Sequence, residues 1–161
     1  MVLVCAPNGV SQVLEVDPLG RECHRLEVQD ALDDCDVMGS DRLLLVGESS
    51  KKVSIVDWEG RVLWSVQTAD PREADLLPNG NVLIADGASQ RVIEVDPSGR
   101  LVWSYGGLVE PHETDRLNNG NTTICDADGN RILEVTPDGK VVWTFEDVNH
   151  PDDIDWERDS D

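Results

Sequence analysis

LPNGNVLIADGASQRVIEVDPSGRLVW, residues 77–103, returns almost position for position as LNNGNTTICDADGNRILEVTPDGKVVW at residues 117–143. Two more divergent copies precede this pair. One turn glycine marks each unit at intervals of about forty residues: Gly20, Gly60, Gly99 and Gly139. A fixed period of this length is typical of repeat architectures. The sequence predicts a single domain over residues 1–161, with repeats at about 1–30, 31–69, 70–109 and 110–149 and a segment 150–161 that closes the fold or begins another unit.

Each unit contains four short β-prone runs, which in the third unit are EADLL, NVLIAD, RVIEVD and RLVWSY. Asn79-Gly80 and Asn119-Gly120 predict two-residue type I′ hairpins, because Asn and Gly accept a positive φ. Asp96-Pro97-Ser98-Gly99 has the residue order of a type I turn. No segment keeps a helical period, so the fold class is all-β. Four antiparallel strands repeating every forty residues or so predict the blades of a β-propeller.

The longest connection within a unit is GGLVEPH, residues 106–112. It must cross a whole blade if the last strand is outermost and the next strand innermost. The segments that begin beside the central channel are then those at Ala31, Pro71, Pro111 and Pro151. Residues 152–156 match the segment that the first unit lacks. They either pair with that unit and close a four-bladed ring, or the chain is a partial propeller that a second copy completes as a homodimer.

The surface charge excludes two classes of partner. The chain carries 33 acidic and 13 basic residues, for a net charge of -20. Binding to nucleic acid or to an anionic membrane needs clustered Lys or Arg, so we expect neither. Acidic self-repulsion is screened at high ionic strength, which favours a halophilic protein in a salt-rich cytoplasm. The N-terminal MVLVCAPNGV has no basic region or long apolar run, which also predicts a cytoplasmic protein.

Positions filled alike in every unit should serve the blade. All four cysteines align with small or apolar residues of other units and are predicted to be core residues rather than zinc ligands: Cys5, Cys23, Cys35 and Cys125. The recurrent Trp64, Trp103 and Trp143 are predicted to pack between blades. DADGN, residues 126–130, is predicted to be a turn, because Pro137 stands where a calcium loop needs Glu.

Two acidic positions recur in every unit. The first comprises Asp33, Glu73, Glu113 and Asp153, and the second Asp36, Asp75, Asp115 and Asp155. These carboxylates either accept backbone N–H bonds at strand starts, or form a ring near the axis that holds Ca²⁺ or Mg²⁺.

One position beside the two acidic ones differs in chemistry from unit to unit. It is filled by Leu32, Arg72, His112 and Asp152. Around a shared channel mouth, His112 could attack a substrate or transfer a proton. Asp152 would orient the imidazole and Arg72 would bind an anionic group. The alternative is a solvated polar rim without catalysis.

The pattern DxxGxxxW, present at 57–64 and 96–103, resembles the tryptophan-docking motif of quinoprotein-like (PQQ-like) propellers. PHETDRLNNGNTTI followed by RILEVTPDGKVVW is more specifically similar to the arylsulfotransferase family, over about residues 31–156. That family's histidine motif falls here on His112, Glu113, Leu117, Gly120 and Asn121.

The resemblance implies transfer of a sulfuryl group from a phenolic sulfate ester to another phenol through His112, without a cofactor. The second class of function is a non-catalytic propeller scaffold that binds a protein partner or a cation at the channel mouth.

Overall fold

The computed structural model describes residues 10–154, and these residues fold entirely as strands and turns. The all-β prediction is therefore confirmed. The strands are β1 Ser11–Val16, β2 Glu22–Val28, β3 Leu32–Met38, β4 Arg42–Gly47, β5 Lys52–Asp57, β6 Val62–Gln67, β7 Pro71–Leu76, β8 Val82–Asp86, β9 Arg91–Val95, β10 Leu101–Gly106, β11 Pro111–Arg116, β12 Thr122–Asp126, β13 Arg131–Val135 and β14 Val141–Phe145. Between residues 10 and 154 there is no helix long and apolar enough to cross a membrane.

The strands form three four-stranded antiparallel sheets and one hairpin. Strands β3–β6, β7–β10 and β11–β14 each follow one another in space as in the chain, and β1 pairs with β2. The first strands of neighbouring sheets, β3, β7 and β11, lie against one another, whereas β6, β10 and β14 lie at the opposite edge of each sheet. The predicted order, with the first strand of each blade inside and the last outside, is confirmed.

Tight turns with a left-handed glycine join the strands. Gly80 has φ +85°, and its N–H donates to the carbonyl of Leu77. Asn79 does not have a positive φ, so the prediction of a two-residue type I′ hairpin is wrong. The loop is longer, and only its last residue adopts the left-handed conformation, as in a type I turn followed by a bulge. The predicted turn at Asp96-Pro97-Ser98-Gly99 is confirmed, because the Gly99 N–H donates to the Asp96 carbonyl.

The core lies between the blades. Alternating strand residues point to opposite faces of a sheet, so each blade contributes one apolar set to each neighbour. Val46 and Val53 of one blade cluster with Ile84 and Ile93 of the next. Trp64 and Trp103 pack into such junctions, as predicted, and Trp103 Nε1 donates to the Pro137 carbonyl at 2.8 Å.

Two buried aspartates that the sequence did not single out hold the connections between blades. Asp86 and Asp126 are 1% and 0% exposed. The Asp126 carboxylate accepts the N–H groups of Val109 and Glu110 at 2.8 and 2.9 Å and pairs with Arg131 Nε at 2.8 Å. Asp86 accepts the equivalent N–H groups one blade earlier. Each aspartate thereby fixes the chain just before it enters an innermost strand.

The cysteines divide into different environments. Cys125 is fully buried, as predicted, and burial raises the pKa of its thiol to about 12. Cys23 is exposed, so its prediction as a core residue is wrong; it lies on β2, an outer strand with few buried side chains. Cys35 is half-buried and disulfide-bonded rather than a free core thiol. Cys5 lies outside the described residues.

The closure of the ring stays a prediction. Residues 151–154 are not in a strand, and the remainder of the predicted pairing, in 155–156 and 1–9, lies outside the described part of the chain. Within residues 10–154 the structure is an arc of three complete blades preceded by the β1–β2 hairpin.

Candidate functional site

The innermost strands place one row of carboxylates at a common level. Asp34 pairs with Val46 across β3 and β4, as Glu73 pairs with Ala85 and Glu113 with Cys125 in the next two blades. The prediction that Asp33 occupies this level is wrong. The carbonyl of Ala31, not that of Asp30, accepts the entry hydrogen bond from the N–H of Glu48, just after β4. The first complete blade therefore begins one residue later than a sequence alignment to the prolines suggests.

The same shift corrects the divergent position. Leu32 is buried in the place of Pro71 and Pro111, and Asp33 stands level with Arg72 and His112. The second acidic row is confirmed over the three complete blades, with Asp36, Asp75 and Asp115 at equivalent pairings. Asp155, predicted to belong to this row, lies outside the described residues.

The first row of carboxylates links neighbouring blades. The N–H of Thr114 donates to Glu73 Oε2 at 3.2 Å, and the N–H of Ala74 donates to the Asp34 carboxylate. One of the two predictions was that the acidic positions accept backbone N–H bonds, and these carboxylates do so. The donors are in the next blade's innermost strand, so the bonds join adjacent blades.

Burial and mutual repulsion raise the pKa of the axial carboxyls. Burial and then repulsion from Asp36 raise the pKa of Asp34 to about 6. Burial, with repulsion from Asp115 as the second cause, raises the pKa of Asp75 to about 7. Burial, with repulsion from Asp153 as the second cause, raises the pKa of Glu113 to about 8. Burial also raises the pKa of Glu73 well above the usual glutamate value. The axis thus holds carboxyls that their own neighbours make difficult to ionise.

Arg72 lies at the mouth of this axis, surrounded by acidic groups. Its guanidinium contacts the carboxylates of Glu110 at 2.8 Å, Asp70 at 3.1 Å and Asp33 at 3.9 Å. Lys51 also pairs with Asp70, at 2.5 Å. Since three carboxylates already surround Arg72, its positive charge is balanced within the protein.

His112 is half-buried on β11, level with Arg72. Between residues 10 and 154 it forms no hydrogen bond or ion pair with Arg72 or Asp152. Asp152 instead accepts a hydrogen bond from His150 Nδ1 at 3.0 Å. The structure therefore does not join the three residues of the predicted catalytic set in one hydrogen-bonded arrangement.

A second group of side chains lies near the mouth, where the loops between blades meet. One ligand atom from each of Glu110, Asp128 and His150 lies within 4.8 Å of the others. Glu110 and His150 both precede a proline at a blade entry, Pro111 and Pro151. That shared place in the repeat was the available signal, but it did not indicate that Asp128 would lie beside them.

The comparisons with known proteins agree with this architecture. The family model PQQ_2, described as outer membrane protein assembly factor BamB, matches residues 49–154. No curated protein matches the chain. The family match agrees with the quinoprotein-like part of the predicted resemblance and does not indicate an arylsulfotransferase.

Solved propeller structures match over most of the chain at low sequence identity. The WD40 β-propeller domain of Doa1 is 14% identical, with a TM-score of 0.72, covering 89% of this chain and 49% of that one. BBS1N in complex with ARL6DN is 16% identical, with a TM-score of 0.66 and coverages of 91% and 49%. Virginiamycin B lyase from Staphylococcus aureus is 11% identical, with a TM-score of 0.63 and coverages of 87% and 53%. The chain spans about half the length of these propellers, and the likeness establishes the fold alone.

Proposed function

We propose that this chain, which belongs to the PQQ_2 family of outer membrane protein assembly factor BamB, is a non-catalytic β-propeller scaffold whose acidic axial mouth binds a basic segment of a protein partner. One observation carries the proposal. Three adjacent innermost strands bring carboxyls together at the axis, and repulsion between them helps to raise their pKa values. A cationic side chain placed among them would relieve that repulsion.

The charge at the mouth supports a cationic ligand. Arg72 and Lys51 face Asp33, Asp70 and Glu110, so the acidic groups outnumber the basic ones there. The whole chain adds a long-range negative potential through its net charge of -20. Such a potential attracts basic partners and accelerates their association at low ionic strength.

The contacts of the predicted catalytic set favour binding over sulfuryl transfer. An arginine that binds a sulfate ester must offer its guanidinium to the substrate, whereas Arg72 is engaged by three carboxylates. A nucleophilic histidine needs a group that orients its ring, and Asp152 is bonded to His150 instead of His112. Carboxylates around the mouth would also repel an anionic phenolic sulfate.

The structural neighbours support a protein partner as one use of this fold. BBS1N is a propeller solved in complex with ARL6DN, while virginiamycin B lyase is an enzyme on a similar fold. The fold therefore permits both classes of function, and the choice depends on the site.

The proposal is tested by fluorescence anisotropy with a labelled peptide of alternating Lys and Gly. The double variant Glu73→Gln with Glu113→Gln removes two axial carboxyls. The matched control, Glu59→Gln with Glu146→Gln, removes two exposed ones. We expect the axial pair to weaken binding about tenfold and the control pair less than about twofold. Equal loss in both pairs would mean that the peptide responds only to net charge, and would overturn the proposal.

A further inference from the structure

A cleft opens between the first two complete blades, at the ends of β3 and β7 that lie away from the axial mouth. Its volume is about 440 Å³, which is within the range of small-molecule sites. Two of its walls, Leu63 and Leu76, are 54% and 40% exposed, and apolar surface of this kind is typical of ligand-binding grooves. Arg42 is the one charged side chain among the described residues that line it. The apolar side chains that line it are Met38, Ile55, Leu63, Trp64, Leu76 and Val82.

The neighbouring junction, between the second and third complete blades, shows what can occupy this place. Glu94 pairs there with Arg116 at 2.8 Å, and both side chains are largely buried. The Arg116 guanidinium lies over Trp103, 5.1 Å from the centre of the ring. Asn81 Nδ2 donates to the Glu94 carboxylate at 2.6 Å. A carboxylate held by a side-chain donor and a planar group on the indole are therefore buried together in that junction.

Two differences in the repeat remove these groups from the junction that contains the cleft. Strand pairing places Ile55 beside Trp64, at the position that Glu94 has in the next blade. Leu76 ends β7 at the position where Arg116 ends β11. Hydrocarbon side chains thus replace both the carboxylate and the planar guanidinium, and the Trp64 ring borders the cleft.

A third difference adds a positive charge to the same cleft. Arg42 immediately precedes Leu43, as Asn81 precedes Val82, and Leu43 and Val82 have equivalent strand partners. A guanidinium therefore replaces the amide that donates to the carboxylate in the neighbouring junction. Between residues 10 and 154, the one ion pair of Arg42 is with Asp41, 3.7 Å from its Nε. The protein's own acids engage this guanidinium weakly, so an anion in the cleft can bind it.

We infer that this cleft binds a small aromatic carboxylate. The aryl ring lies on Trp64, where the neighbouring junction has the planar Arg116 guanidinium. The ligand carboxylate takes the place of the Glu94 carboxylate and accepts hydrogen bonds from Arg42. The ligand thereby supplies from outside the two groups that the next blade junction supplies from its own side chains.

The test is calorimetric titration of the full chain with 2-naphthoate in about 0.15 M KCl, which screens charges more than about 8 Å away but leaves a direct contact intact. We expect a Kd of about 1 mM or lower for a ligand of this size. Arg42→Gln should raise the Kd about tenfold, because it removes the charged donor. Arg100→Gln, at an exposed turn arginine, is the matched control and should change the Kd less than about twofold.

Two further measurements locate the ligand and define its chemistry. The double variant Ile55→Glu with Leu76→Arg rebuilds the carboxylate and guanidinium of the neighbouring junction, and it should abolish binding with unchanged circular dichroism. The neutral 2-naphthamide should bind the wild type about tenfold more weakly than 2-naphthoate does, and Arg42→Gln should weaken it no further.

Three results would each overturn the inference: no heat of binding with 2-naphthoate, equal affinity in Arg42→Gln and the wild type, or tighter binding of decanoate than of 2-naphthoate. The Arg42 variant decides the outcome even if the rebuilt junction does not fold, because Arg42 is exposed. The cleft and the axial mouth lie at opposite ends of the innermost strands. Failure to bind 2-naphthoate therefore leaves the proposed basic partner unaffected, and failure to bind the basic peptide leaves the cleft unaffected.

Discussion

Replacing Glu113 by Gln should stabilise the protein at alkaline pH and have little effect at acid pH. Burial, then repulsion from Asp153 and Asp115, raises the pKa of Glu113 from 4.5 to about 8. The folded chain therefore favours the protonated carboxyl. Its contribution to stability is fully present below pH 4.5 and is lost as pH rises through about 8. Glutamine keeps the shape and the neutral charge of the protonated form at every pH.

The expected magnitude follows from that interval. At about 1.4 kcal/mol for each pH unit, the difference would approach roughly 5 kcal/mol in a fully buried site. Glu113 is only half-buried, and screening by solvent reduces the expected gain to about 2 kcal/mol at pH 9. For a chain of this size the gain corresponds to a rise in Tm of about 4–8 °C.

Thermal unfolding followed by circular dichroism at pH 5 and pH 9 measures this effect. Glu146→Gln, at an exposed position on the same blade, is the matched control and should change Tm by about 1 °C or less at either pH. An equal change in Tm at both pH values for Glu113→Gln, or a lower Tm at pH 9, would show that the folded chain does not favour the protonated Glu113 carboxyl.

Three further predictions address the blade and the predicted chemistry. Asp126→Ala should lower the free energy of unfolding by about 3 kcal/mol in urea titrations, because it leaves Arg131 and two backbone N–H groups without their acceptor; Asp96→Ala, in an exposed turn, should lower it by about 1 kcal/mol. Gly120→Ala should lower the free energy of unfolding by about 1–2 kcal/mol, because Gly120 has a φ of +88°. Gly106→Ala is the control, because the nearest atom to a Cβ built on Gly106 is 3.9 Å away. Incubation with p-nitrophenyl sulfate should release no phenol above the rate of a His112→Ala variant and leave no sulfuryl adduct on His112 by mass spectrometry; an adduct would establish the catalytic alternative.

The repeat made most of the fold predictable from sequence. Its period and its turn glycines specify four β-prone runs in each unit, and the order of strands follows from the long crossing connection. The turn type was harder to predict, because Asn-Gly fits both a two-residue hairpin and a longer loop. The hydrogen bond from the Gly80 N–H to the Leu77 carbonyl identifies the longer loop. Whether that bond forms depends on where the two strands end.

The site was predicted less completely, and the reason is one of register. No proline marks the entry to the first complete blade, so the sequence alone cannot decide whether Asp33 or Asp34 joins Glu73. A shift of one residue exchanges the two faces of a strand. The pairing of Asp34 with Val46 resolves this, and with it the identity of the axial carboxyls.

Two buried features could have been noticed from the repeat itself. Asp86 and Asp126 end equivalent strands in the two most similar units, a recurrence that marks a structural role. The disulfide at Cys35 could not be inferred from spacing. The predicted cytoplasmic location stays a prediction.

If a basic ligand binds among the axial carboxyls, its binding should displace protons from them, and those protons can be counted. Calorimetric titration of the Lys-Gly peptide at pH 7, in phosphate and in Tris, separates the heat of binding from the heat of proton transfer to the buffer. Because the pKa of Asp75 is about 7 and that of Glu113 about 8, a cation beside them should displace protons. We expect a net release of about one proton per peptide, which falls in the Glu73→Gln, Glu113→Gln double variant because Asp75 is then the main axial carboxyl left to release one. Binding without proton release, or with the same release in that variant, would contradict binding among the axial carboxyls.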